Sequence, residues 1–219
     1  MALIKYELRL ALKGGGAWLH GVLFFFLFST LCAIALGGHK SVLAPIAPAL
    51  IWLAVIFALL LAFESLFQED ASDGTLEQLS LSGLPMIAAA GAKLISHWIL
   101  TVLPLLLFIP AIGYGFGLSG IKIAGLFNAV LIGSPALIIY GSFASACLIG
   151  YRSAGLLIIL LTVPLIVPTL IFGLSAVDSF GASGIMGAPF KALAGISLVS
   201  IGLGLPAISA ALNTYLETS

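Results

Sequence analysis

Eight carboxylates are the residues best equipped for chemistry, and four of them, Glu69, Asp70, Asp73 and Glu77, crowd into one polar stretch. Carboxylates at that spacing can hold Mg²⁺ against a diphosphate, as an intramembrane prenyl-transferring enzyme requires. Such a site needs a second acidic cluster facing the first. The remaining acids, Glu7, Glu64, Asp178 and Glu217, are scattered along the chain, so no metal site is assigned. A G-x-x-x-x-G-K-[ST] phosphate loop, a G-x-S-x-G elbow and an H-E-x-x-H pair are all absent, and no catalytic residue is assigned either. Two readings of the four acids remain: a solvated loop, or a docking surface for a soluble partner. If the protein drives active transport, its ATPase must be a separate chain.

Local signals favour docking. Asp73-Gly74 is a turn signal, and Thr75 followed by Gln78 has the spacing of a capping box, in which cap hydroxyl and third-position amide serve each other's backbone N–H groups. Gly83 can close the helix thus started, and Pro85 prevents its continuation. The result is a helix over 76–82, about two turns long and too short to stand alone in water. Leu76 and Leu79 give it an apolar edge, and Glu69, Asp70, Asp73 and Glu77 make its approach acidic.

Elsewhere, ionisable groups fall within or beside apolar runs at Glu64, His97, Arg152 and Asp178. An unpaired charge in lipid is costly, and Glu64 and His97 sit at neighbouring span ends, so they are expected to pair and pin two helices together. A lone histidine does not make a haem site, and no Cys-x-x-Cys-His attachment motif occurs.

What positions these groups follows from composition. Of 219 residues, 62% are hydrophobic and only 7% charged, with no net charge. A soluble domain carries about 25% charged residues, so a water-soluble globule is excluded, and nothing favours nucleic acid as a partner. Six runs meet the ~20-residue length of a membrane-spanning helix: 18–36, 43–67, 94–116, 123–149, 154–177 and 192–212. The first is longer than a signal-peptide core and is read as retained. The six leave no room for a soluble domain, so residues 1–219 form a single all-α bundle joined by a hydrophilic loop over 68–86. Prolines within the runs tend to kink helices, and the Gly-rich stretch 178–189 reads as a loop or a partial re-entrant element. With six crossings both termini share a side. Lys5, Arg9, Lys13, Lys93 and Arg152 fall there against Lys40, Lys122 and Lys191 on the other, which makes the termini cytoplasmic. Residues 1–14 form an amphipathic helix: Ile4, Leu8, Ala11 and Leu12 share one stripe, and Lys5, Arg9 and Lys13 a neighbouring one that suits an anionic leaflet of the lipid bilayer.

The chain resembles the haem exporter protein B family (CcmB), the permease-like subunit of the cytochrome c maturation ABC complex. The resemblance is carried by Ala47-Pro48-Ala49, Ile51-Trp52, Glu64-x-Leu66-Phe67, Asp70 and Asp73-Gly74-x-Leu76-Glu77-Gln78-Leu79. It continues through Ala92-Lys93, Ser96-His97-Trp98, Thr101, Leu103-Pro104-Leu105-Leu106 and Pro110, with Pro164 and Pro168 further on. It implies an inner-membrane protein with ABC-2-type permease architecture, which draws on ATP and Mg²⁺ held by a CcmA-like ATPase subunit. CcmC-like and CcmD-like membrane subunits would be further partners, with a CcmE-like periplasmic haem chaperone engaged indirectly and a second copy of the chain alongside. Haem would be a substrate of the complex rather than a cofactor of this chain, because the Trp-rich periplasmic motif of haem-handling subunits is missing. Glu69, Asp70, Asp73, Gly74, Thr75, Leu76, Glu77, Gln78 and Leu79 would then form the element that couples the ATPase to the bundle. The rival readings are an ABC-2-type permease for another amphiphile (a lipid or drug), a prenyl-transferring enzyme, and a non-transporting scaffold.

Overall fold

The computed structural model describes residues 4–5, 7–9, 17–151 and 154–218. Its helices are α1 (Ala17–Ala35), α2 (Lys40–Phe63), α3 (Gln68–Ser72), α4 (Thr75–Leu81), α5 (Met86–Gly115), α6 (Gly120–Cys147), α7 (Ala154–Ser183) and α8 (Ala188–Thr218). A 3₁₀ turn, Gly184–Met186, joins the last two, and no strand occurs among the described residues. Five helical segments are long and apolar enough to cross a membrane, and α1 is apolar but shorter. The molecule is therefore an all-α membrane bundle.

Its faces are assigned as lipid demands. Outward positions carry Leu107 on α5, Leu156 and Leu160 on α7 and Leu203 on α8, all strongly exposed, while Ser134, Ser142, Ser145, Thr162 and Thr169 are buried between helices. Small and hydroxylated residues let helices approach closely, and large aliphatic ones meet acyl chains. Central among the helices is α6, which packs on α2, α5, α7 and α8, whereas α1 lies against α2 and α5. Trp52 fills the middle of the bundle with no exposure. It fits because its neighbours on α6 and α7 have no side chain: a Cβ at Gly173 would come within 2.5 Å of the indole, and one at Gly133 within 3.0 Å.

Several boundaries differ from expectation. The third long helix begins at Met86 rather than 94, since Ala88, Ala89 and Ala90 are strong helix formers and Lys93 is ion-paired within the fold. The connection within 178–189 is shorter than expected, no more than the 3₁₀ turn and Gly187: α7 runs on to Ser183, with Phe180 packed so that a Cβ at Gly125 would come within 2.9 Å of its own Cβ. Phe180 also meets Phe190 at the start of α8, with ring centroids 5.8 Å apart. Helical structure continues through Pro104, Pro110, Pro135, Pro164, Pro168 and Pro206.

Candidate functional site

The polar stretch after α2 folds as two short helices that make a foot under one end of the bundle. Asp73 ends α3, with its N–H donating to the Glu69 carbonyl at 2.9 Å. Gly74 then takes a left-handed conformation, φ 71°, and turns the chain straight into α4. That glycine is the N-cap, so the expected capping box is absent: Thr75 is the first helical residue, the Gln78 N–H donates to the Gly74 carbonyl at 3.2 Å, and the Gln78 side chain is exposed. Helix α4 therefore starts one residue early. Glu77 in its first turn folds back over Gly74, a favourable place for an anion. At the far end Gly83, φ 73°, and Pro85 separate α4 from α5 as expected.

The four acids do not form one face. Glu69 and Asp73 are exposed and Glu77 is half-buried, but Asp70 is buried and ion-paired with Lys93 of α5. The apolar edge is also redistributed. Leu76 is buried within the chain's own core, so it is not offered to a partner as expected, while Leu79 packs partly against that core and stays part-exposed. The residues that project are Leu81, 88% exposed, and Leu84. A hydropathy reading could not separate Leu76 from Leu81, because both are leucines on one short helix and only docking of the foot decides which points inward.

Gln68 fastens the foot on its other side. Its Nε2 donates to the Leu148 carbonyl at 2.9 Å, and its Oε1 accepts from the Gly150 N–H at 3.3 Å, clamping the turn between α6 and α7. Gln68→Glu loses the donor and Gln68→Ala both bonds. Each is expected to lower stability by about 1 kcal/mol, Ala the more, as a fall in unfolding midpoint in mild detergent.

Glu64 and His97 do not pair. His97 lies eleven residues into α5 rather than at its start, and its ring packs against Phe63 at 5.7 Å between centroids. The Glu64 carboxylate turns instead to α7, where a Cβ at Gly155 would come within 2.8 Å of it. The last turn of α2 points Phe63 toward α5 and so carries its neighbour away. In the N-terminal segment Lys5 and Arg9 are exposed, while Glu7 is buried. Lys13 and Arg152 lie outside the described residues.

A recess of about 340 Å³ opens between α5, α6 and α8, walled by Leu94, Ile95, Trp98, Pro135, Ile138 and Ile201. The Trp98 indole is fixed as one wall by donating to Ser134 Oγ at 2.9 Å. Its lining side chains include no imidazole, thiol or cation to hold haem iron or propionates.

An all-α bundle with five helices long and apolar enough to span a membrane fits a membrane permease. The family model described as "CcmB protein" matches residues 1–215, and the chain belongs to the CcmB family. It is 36% identical to heme exporter protein B of Bradyrhizobium diazoefficiens over 99% of this chain and 98% of that one. Its identity to heme exporter protein B of Paracoccus denitrificans is 37%, covering 99% of each chain. Against the Escherichia coli K12 protein of the same name it is 35% over 81% and 80%.

Proposed function

We propose that this chain is the permease subunit of a haem-exporting ABC complex for cytochrome c maturation. In this reading the whole chain is one transmembrane domain of six crossings in the bacterial inner membrane. Both termini are cytoplasmic, and Lys5, Arg9 and Lys13 lie at the anionic leaflet. ATP is hydrolysed on a separate CcmA-like subunit, and the movement it drives serves haem export or release of a haem-loaded CcmE-like chaperone. CcmC-like and CcmD-like subunits and a second copy of this chain complete the assembly.

The observation that carries this reading is the foot. It is fastened to α5 through Asp70–Lys93 and to the α6–α7 turn through Gln68, yet presents Leu81, Leu84, Glu69 and Asp73 outward. An element anchored to three spans and exposed at its tip can transmit a push from below. Apolar knobs of this kind supply affinity and rim charges set register and encounter rate. The expected docking set is thus Glu69, Asp73, Leu81 and Leu84, with Asp70, Gly74, Thr75, Leu76, Glu77, Gln78 and Leu79 shaping the foot that carries them.

Leu81→Asp combined with Asp73→Lys tests it, since both side chains are exposed and neither contributes to the core. Binding of the ATPase subunit is expected to weaken by about tenfold, roughly 1.4 kcal/mol, with an unchanged unfolding midpoint. Copurification and ATPase stimulation equal to the unmodified chain's would overturn the reading.

A further inference from the structure

We propose that Glu7 is a proton-linked positioning residue, and that Glu7, Lys93 and Asp70 form one buried joint strapping the N-terminal segment to the foot. Three elements meet there. Asp70 comes from α3 and Lys93 from α5, and their charged atoms are in contact. Glu7 comes from the N-terminal segment and is, like Asp70, only 7% exposed. The segment is fastened independently: Ser96 Oγ, three residues beyond Lys93 on α5, donates to the Ile4 carbonyl at 3.3 Å. Phe67 shields the joint, with the Lys93 ammonium 5.8 Å from its ring centroid.

One ammonium thus pairs with one buried carboxylate and acts from further off on a second, Glu7. Asp70 ion-pairs with it directly, leaving the buried Glu7 carboxyl with less than a full counter-charge. Burial pushes the Glu7 carboxyl above its ordinary range, Lys93 draws it part of the way back, and Asp70 adds to the rise. Besides these two, the ionisable group nearest along α5 is His97, one turn past Lys93, while Lys5 and Arg9 on Glu7's own segment are exposed.

The direction of the linkage follows. A docked Glu7 holds its proton more tightly than an undocked one. Docking is therefore strongest below the ordinary carboxylate value and weakens as pH rises through the raised, docked value. The docked-to-undocked ratio falls up to tenfold for each pH unit separating the two values. If the foot couples an ATPase, which is the reading above, the strap adjusts its stiffness to cytoplasmic pH.

The test is the distance distribution between nitroxides at Lys5→Cys and Ser80→Cys, both exposed sites, in the full chain with Cys32 and Cys147 replaced by Ser. The chain is reconstituted in vesicles of phosphatidylethanolamine and phosphatidylglycerol and measured between about pH 5 and about pH 8. A narrow population is expected at the acid end, giving way to a broad one at the alkaline end. Glu7→Gln should keep the narrow population throughout. Asp70→Asn, which releases Lys93 to Glu7, lets the docked carboxylate keep its charge and should move the midpoint to higher pH. A distribution insensitive to pH, or a response that Glu7→Gln leaves intact, overturns the proposal, as does an unmoved midpoint in Asp70→Asn. ATPase stimulation in the same vesicles separates the two claims: distances that respond as expected beside an ATPase indifferent to the foot uphold the joint and overturn the coupling reading.

Discussion

Lys93→Met is expected to cost about 3 kcal/mol and to release the foot from α5. Removing one partner of a buried ion pair costs roughly 3–5 kcal/mol, because the charge left behind keeps its desolvation penalty and loses its compensation. Here the side chains retain 15% and 9% exposure, so some water reaches them and the lower end of that range applies. Methionine preserves the aliphatic stem, so packing against Phe67 changes little and the charge is what is tested. Asp70 then loses its paired cation, and Glu7 loses the attraction of Lys93 that offsets part of its burial. Thermal unfolding in mild detergent should show a lowered midpoint, and limited proteolysis should cut residues 68–84 sooner. Pairing Lys93→Met with Asp70→Asn removes the orphaned charge and is expected to recover most of the loss. A single variant as stable as the parent, or a double variant no better than the single, would show that the pair holds nothing.

The long helices were legible because apolar runs of bilayer length have few alternatives, and the family because its acidic run and Lys-x-x-x-His-Trp stand as contiguous residues. The site was legible only as a location. Asp70 and Lys93 stand 23 residues apart, and their contact depends on α3 folding back beneath α5, which no local pattern announces. The capping box failed for a local reason: Gly74 reached the left-handed region and took over the N-cap, leaving the Thr75–Gln78 exchange with no cap to serve. Glu64 and His97 were matched by proximity to span ends, but the pairing of side chains depends on azimuth. Phe63 occupies the azimuth that faces α5. The Gly-rich stretch after Asp178 misled because glycine lowers helix propensity without forbidding a helix, and the Phe180–Phe190 contact holds the last turn of α7 in place.

That same azimuth makes Gly141 the position where one added methyl should do most harm to packing. A Cβ built there would lie 2.0 Å from Phe63 Cε2 and 2.1 Å from Cδ2, far inside van der Waals contact, so ring or helix must move. The ring has little room to yield. Phe63 is fully buried and His97 packs on it from α5, so displacement would propagate into a third helix. Separating α2 from α6 instead would open the core around Ala144 and Leu59, both almost wholly buried. Overpacking of a dense core costs about 1–3 kcal/mol, and a rigid, enclosed ring puts Gly141→Ala at the upper end. The expected result is a lowered unfolding midpoint and poor recovery of folded protein, with Gly141→Leu worse than Gly141→Ala. Steric origin has its own signature: Phe63→Ala alone should destabilise by leaving a cavity, yet combined with Gly141→Ala it should cost less than the two losses added. Strict additivity would mean that the methyl and the ring never competed for the same space, and that the close contact between α2 and α6 is not what holds this end of the bundle together.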